Sequence, residues 1–294
     1  TRPMKFLARL AIAVAVLVVI YGVFIRLGEQ SWLFVPSPYP AGPWYTQSVY
    51  HAQDIRFPAA DGSLLDAWWV PTVNPRRTVL LFHSRGGNIS NLDERILRLQ
   101  LLHSNVFAVD YRGYGKSQGH PSIAGVLQDG ESAYQYLTVT RKIPPQKLVV
   151  QGDELGAAVA ASVAAHHPQV AALVLESPFP SLRALADVTM PGAGWFLADG
   201  FPVLQEVKSY SGPKLILFGG SDNNVPAALS EQVFAAASPP KLEHEWPDAT
   251  QNHLVVDAGR GYSRWMETFY QSAHLAPAPR RFRFPSPIIH AGGN

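Results

Sequence analysis

The chain has 294 residues, 47% hydrophobic and 16% charged, enough to bury one large core and too few for two ordinary domains with linkers. Twenty-four basic against 22 acidic side chains give a net charge of +2, but the excess sits at the ends, with Arg2, Lys5, Arg9 and Arg26 at the front and Arg280, Arg281 and Arg283 in the tail. The body between them is net acidic, so the overall balance gives no argument for binding nucleic acid. The absence of cysteine excludes disulfides, thiolate nucleophiles and zinc–thiolate sites.

Residues 6–25 read FLARLAIAVAVLVVIYGVFI, and their single charge, Arg9, lies one turn inside, where it can snorkel to headgroups. Twenty helical residues make roughly 30 Å, the thickness of a bilayer core. No small-x-small cleavage site follows, so residues 1–27 are read as a membrane anchor. Arg2, Lys5 and Arg9 precede the span, while Arg26 and Glu29 nearly cancel after it. That bias leaves the N-terminus cytoplasmic and the body outside, in a bacterium in the periplasm.

Residues 28–50 form an aromatic- and proline-rich linker, SWLFVPSPYPAGPWY at its centre, whose four prolines oppose a regular element. Its aromatic groups suit the bilayer surface and suit packing on the domain equally well. From 276 to 294 an alanine-proline run leads into ArgArgPheArgPhePro, an extended tail without a core of its own, in which Phe282 and Phe284 could anchor a partner.

The body, 51–275, alternates short apolar runs with amphipathic stretches. Residues 54–57 and 64–70 flank Asp61-Gly62, a hairpin signal. The runs at 78–83, 106–110, 147–151, 170–175 and 214–218 are β-branched and do not alternate, as strands buried on both faces of a parallel sheet should be. Helical stretches fit at 90–102, 123–138, 155–166, 227–237 and 255–272. The class expected is α/β with one central, mostly parallel sheet and no second domain.

Five segments, LLFHSRGGNIS at 80–90, DYRGYGKSQG at 110–119, QGDELGAAVA at 151–160, ESPFPSL at 176–182 and FGGSDNNVP at 218–226, resemble in order and spacing the α/β-hydrolase superfamily. The likeness is to its small membrane-anchored serine hydrolases with an N-terminal helix and little or no cap. The resemblance implies a serine nucleophile on a strand-to-helix elbow, G-x-S-x-G, a later acid and a histidine near the end. Here the elbow reads Gly152-Asp153-Glu154-Leu155-Gly156, so the nucleophile position carries Glu154. Asp222 matches the acid and His253 the base; Arg85 and Leu155 fall at the oxyanion-hole positions. Asp153 is expected to serve only the turn. A second match to the pattern, around Ser117, has no helix behind it and is set aside.

A carboxylate at the elbow has no proton for His253 to remove, and it fills the space an acyl group needs. The leading expectation is therefore a catalytically inactive, membrane-anchored protein acting as an accessory or structural subunit beside a membrane protein partner. The alternatives are an active hydrolase of ester or related bonds using Glu154 with His253 and Asp222, or a serine hydrolase inactivated by substitution at 154. No cofactor or metal is implied: His166-His167 and His244 lack a three-ligand spacing. A pair between Glu154 and Arg85 or His253 is expected, because a carboxylate enclosed at an elbow is costly alone.

Overall fold

The computed structural model describes residues 2–198, 200–250 and 254–275. In chain order its elements are α1 (Arg2–Leu33), β1 (Val35–Pro36), α2 (Thr46–Val49), β2 (Gln53–Pro58), β3 (Leu64–Val70), β4 (Arg77–Phe82), β5 (Gly86–Gly87), α3 (Asp93–Leu101), β6 (Ser104–Val109) and α4 (Ile123–Gln135). There follow β7 (Leu148–Asp153), α5 (Leu155–His166), β8 (Ala172–Glu176), α6 (Leu182–Thr189), α7 (Val203–Ser209), β9 (Lys214–Gly219), α8 (Ala227–Ala236), β10 (Lys241–Trp246), α9 (Leu254–Ala258) and α10 (Arg260–Ser272).

Eight strands form one sheet in the order β10-β9-β8-β7-β4-β6-β3-β2. Only the β2–β3 and β3–β6 pairs are antiparallel; the rest of the sheet is parallel. The apolar runs explain this arrangement. Every residue of β4, β7, β8 and β9 is buried, and alternate side chains feed two cores: Leu80, Phe82 and Val150 pack on one face, Val79, Leu81 and Val149 on the other. Helices α4, α5, α7 and α8 cover the first face, and α3, α9 and α10 the second. The α/β-hydrolase fold expected from the sequence is the fold observed.

Some boundaries differ. The hairpin, the five parallel strands and α5 fall where expected, but the helix expected over 255–272 is broken at Gly259, where φ is +50°. The one expected over 123–138 gives way at Tyr136 to a wider turn, Tyr136–Thr140. Between β8 and β9 lies a small lid of α6, a tight turn Ala193–Phe196 and α7, in keeping with little cap.

The N-terminal region departs most from expectation. Helix α1 runs without interruption through the boundary expected at 27, is long and apolar enough to cross a membrane, and leaves nearly all its apolar side chains exposed as far as Ile20. A signal sequence passes the same test of length and composition. Its last turns dock on the domain: Ile25 and Leu33 are buried, and the Tyr21 hydroxyl donates to the Pro191 carbonyl at 3.1 Å. The proline-rich segment after it does form regular contacts. Val35 and Pro36 pair in parallel with Gly86 and Gly87, Phe34 is buried, and Trp44 packs edge-on against Trp68. Residues 276–294, with Phe282 and Phe284, lie outside the described residues.

Candidate functional site

Strand β7 ends at Asp153 and α5 begins at Leu155, so a single residue, Glu154, turns the chain. It does so at φ +52° and ψ −107°, a conformation that L residues rarely adopt and that surrounding packing must enforce. The enforcement is visible at the flanking glycines. A Cβ on Gly152 would collide with the Gly156 carbonyl, and one on Gly156 with the carbonyl of Phe82 on β4. Small residues along α5, almost all buried, let the helix lie close to the sheet behind the turn.

The turn delivers the Glu154 side chain into an enclosed position, 1% exposed, where its carboxylate meets Arg85 twice. The Arg85 backbone N–H donates to Oε2 at 3.1 Å, and the guanidinium Nε lies 3.0 Å from Oε1. Burial pushes the Glu154 carboxyl up from its ordinary range, and the negative charge of Asp222 adds to the rise. The Arg85 charge and the backbone N–H groups of Arg85 and Leu155 act in the opposite direction. The carboxylate therefore takes the N–H of the loop after β4 at the point where α5 begins.

That loop is held from several sides. The Tyr111 hydroxyl donates to the His83 carbonyl at 2.9 Å and the Tyr114 hydroxyl to the Arg85 carbonyl at 2.7 Å. Val35 N–H donates to the same Arg85 carbonyl at 3.0 Å, and the Asn88 amide reaches the carbonyls of Ser37 and Ala41. The Arg85 guanidinium lies over the Trp32 ring, 5.4 Å from its centroid. The segment that follows the apolar helix is thus part of the wall of the site. The pocket in front, about 410 Å³, is bounded by Val35, Arg85, Asn88, Arg95, Asp153 and Glu154.

Asp222 lies in the loop after β9, 5% exposed, its Oδ1 accepting the N–H groups of Asn224 and Val225 at 2.8 and 3.0 Å. It is close enough to influence Glu154 electrostatically, so the structure brings Glu154, Arg85, Leu155 and Asp222 together. His253 lies outside the described residues, in the stretch just before α9. Ser117 is elsewhere: its Oγ accepts from Asp66 N–H at 2.8 Å and donates to the Asp110 carbonyl at 2.7 Å, tying a loop to β3.

Asp153 is not merely a turn residue. It pairs with Arg95 of α3 at 3.0 Å, and Arg95 also reaches Glu176 at 2.9 Å. Glu176 further accepts from Gln151 at 2.6 Å and Tyr262 at 2.8 Å. This buried network under the elbow was not foreseen from the sequence. The available signal was Gln151 and Glu176, polar residues near the C-terminal ends of otherwise apolar strands. Among the described residues no cluster of His, Asp and Glu is arranged to hold a metal ion.

Comparison with known proteins agrees with this architecture. The family model described as "Serine aminopeptidase, S33" matches residues 73–205. An uncharacterized protein of Mycobacterium tuberculosis (strain H37Rv) is 32% identical over 253 residues, covering 81% of this chain and 88% of its own length. The uncharacterized protein YfhR of Salmonella typhi is 34% identical over 255 residues, 80% of this chain and 87% of that protein, and protein bem46 of Schizosaccharomyces pombe is 30% identical over 256, 82% and 85%. In three dimensions the esterase Pf2001 of Pyrococcus furiosus superposes with a TM-score of 0.67 at 20% identity, over 81% of this chain and 97% of that one, a likeness of fold. With an eight-stranded, mainly parallel sheet, a strand–turn–helix elbow at Glu154 and relatives of this extent, the chain belongs to the α/β-hydrolase superfamily.

Proposed function

We propose that this protein is a membrane-anchored member of the superfamily that has lost serine-hydrolase activity and serves as an accessory or structural subunit beside a membrane protein partner. One observation carries the reading. Glu154 stands at the elbow where the superfamily places its nucleophilic serine, and its carboxylate takes the N–H of Arg85 at 3.1 Å, a group that would otherwise face an oxyanion. The hole is filled by the protein's own negative charge. The carboxylate also lacks the hydroxyl proton that His253 would remove, and its oxygens lie further from the backbone than a serine oxygen. A misplacement of about 1 Å already costs on the order of a hundredfold in rate. The exposed apolar length of α1 supports the anchor, and the bias of the charges flanking it supports an extracytoplasmic body.

The experiment is a pair of labelling reactions with a serine-directed fluorophosphonate. The natural protein is expected to stay unlabelled and to leave short-chain nitrophenyl esters intact. Glu154→Ser empties the hole and supplies a hydroxyl at the elbow, so it is expected to label at position 154. Labelling of the natural protein at any residue overturns the reading. A second reading, an active hydrolase using the Glu154 carboxylate, draws on its burial and raised pKa. It requires turnover in the natural protein that Glu154→Gln abolishes. Membrane residence is checked by carbonate washing, and orientation by external protease on spheroplasts, where a protected body reverses the topology.

A further inference from the structure

The turn Ala193–Phe196 of the lid packs against α1 at an unexpected height. Phe196 lies edge-on to Tyr21, ring centroids 5.8 Å apart, and Gly22 has no side chain because a Cβ there would run into the Phe196 ring. Tyr21 also holds the Pro191 carbonyl. Tyr21 and Gly22 belong to the apolar run, before Arg26 and Glu29, whose 2.7 Å ion pair is the first charge after Arg9 and, with α1 as a span, sets where the helix meets water. At 1.5 Å per residue, the lid contact lies about 6 Å to the membrane side of Arg26 if the helix stands upright.

The segment at this height suits such a level. Residues 188–198, VTMPGAGWFLA, carry no charge, and Trp195 at their tip is 88% exposed. Its backbone groups are met from within: Gly194 N–H donates to Asp187 at 2.8 Å, Ala193 N–H to the Met190 carbonyl at 2.9 Å, and Arg183 donates to the Leu197 carbonyl at 3.0 Å. A turn satisfied in this way loses little on leaving water. Beside it an apolar groove of about 300 Å³ runs between Phe24, Ile25 and Gly28 of α1 and Met190 and Leu197 of the lid.

We infer that the lid is a second membrane contact: Trp195 and its neighbours sink into the interfacial layer of the lipid bilayer next to α1, so the domain is seated on the membrane and not merely tethered to it. The inference rests on the reading of α1 as a membrane span. The amphipathic indole prefers the headgroup–acyl boundary, and a rigid helix passing that boundary within contact of Phe196 leaves the turn no other height. A protein partner could also cover an exposed tryptophan, but it would not account for a contact made on the membrane side of the first charge after the span.

The chain contains no cysteine, which makes a site-by-site test direct. Single variants Val16→Cys, Trp195→Cys and Val139→Cys of the full chain, each at an exposed position, are labelled with an environment-sensitive fluorophore. They are then placed in phosphatidylcholine–phosphatidylglycerol vesicles at high dilution. The probe at 16 is expected to be quenched by lipid spin-labelled deep in the acyl chain. The probe at 195 should be quenched by shallow spin-labelled lipid with blue-shifted emission, and the probe at 139 should be neither quenched nor shifted. Quenching at 16 with a water-like probe at 195 overturns the seating while leaving the anchor intact. No quenching at 16 removes the anchor and the inference with it. A blue-shifted but unquenched probe at 195 means cover by another copy of the chain and also overturns the proposal. A control variant, Gly22→Leu, should push the lid off α1 and weaken quenching at 195 while quenching at 16 persists.

Discussion

The two arginine–carboxylate clusters on either side of the elbow differ in how fully their charges are met. Beneath it, Arg95 bridges Asp153 and Glu176, and Glu176, with no exposed surface, takes three donors, from Arg95, Gln151 and Tyr262. Burial works against the Arg95 charge, but Glu176 and Asp153 more than offset it and hold the guanidinium firmly protonated. Above the elbow, Glu154 has Arg85 as its ion-pair partner, and the Arg85 side chain, 18% exposed, opens on the pocket and on Trp32. The three donors that converge on the fully buried Glu176 mark the lower cluster as framework. The upper one, with fewer donors and a face toward solvent, is where a ligand or a new side chain can change the chemistry.

Removing Arg95 gives the largest test of this contrast. Arg95→Met would leave Asp153 and Glu176 buried with their cation gone, and breaking such a pair typically costs about 3–5 kcal/mol. Urea denaturation should show that loss, with a denaturation slope unchanged from the natural protein. Should Arg95→Met cost no more than a change at Glu154, the distinction between framework and site collapses.

Another buried carboxylate, Asp66 on β3, sharpens the comparison because it has almost no support. It is 1% exposed, and among the described residues neither carboxyl oxygen has a hydrogen-bond partner and the nearest cation is Arg56, 3.7 Å away and largely in solvent. Burial, reinforced by the charge of Asp54, pushes its pKa up to about 7. The folded state thus holds a proton that the unfolded chain releases near pH 4. The stabilisation is complete below that value and is lost as pH rises through 7. Asp66→Asn is expected to leave stability at pH 4 unchanged and to raise it at pH 8 by on the order of 2 kcal/mol. Melting curves at the two pH values check it, and an equal effect at both would mean that Asp66 is paired.

Glu154→Gln should have a smaller effect, about 1 kcal/mol. The amide oxygen can still accept the Arg85 N–H, and Arg85 is exposed enough to turn toward the pocket. A loss comparable to that of Arg95→Met would show Glu154 to be a structural keystone and would weaken its reading as a displaced nucleophile.

The fold was legible because β4, β7, β8 and β9 are buried on both faces, and such strands must be continuously apolar. Gly152 and Gly156 were legible for a related reason: no other residue fits at those points. The pairing of Glu154 with Arg85 could be anticipated, since an enclosed carboxylate calls for a cation and the loop after β4 offers one. The Arg95 network could not, because Arg95 lies in α3 among Asp93, Glu94 and Arg98, where its charge reads as surface. Only the packing of α3 against β6 turns it inward. The ordering of residues 34–44 was equally hidden. Prolines oppose helix and central strand but permit the short edge pairing that Val35 and Pro36 make, and nothing in the sequence names Gly86 as its partner.

That pairing leads to the smallest effect and the most specific one. Trp32, in the last turn of α1, lies under the Arg85 guanidinium, so the apolar helix and the candidate site share one contact. At 5.4 Å and partly exposed, such a cation–π contact is worth about 0.5–1 kcal/mol. Trp32→Leu keeps apolar bulk against the domain while removing the ring face, so overall stability should fall by no more than that amount. Its consequence is for the site. With one of its two supports gone, the Arg85 side chain should sample orientations away from Glu154 more often, and the Glu154 carboxyl, left with burial and less of its cation, should titrate higher still. Carboxyl titration by isotope-edited infrared spectroscopy, comparing the natural protein with Trp32→Leu and using Glu154→Gln to assign the band, reads that change directly. A band that titrates identically in both would show that Arg85 is held by the loop carbonyl contacts of Tyr114 and Val35 alone, and that the apolar helix has no hold on the elbow.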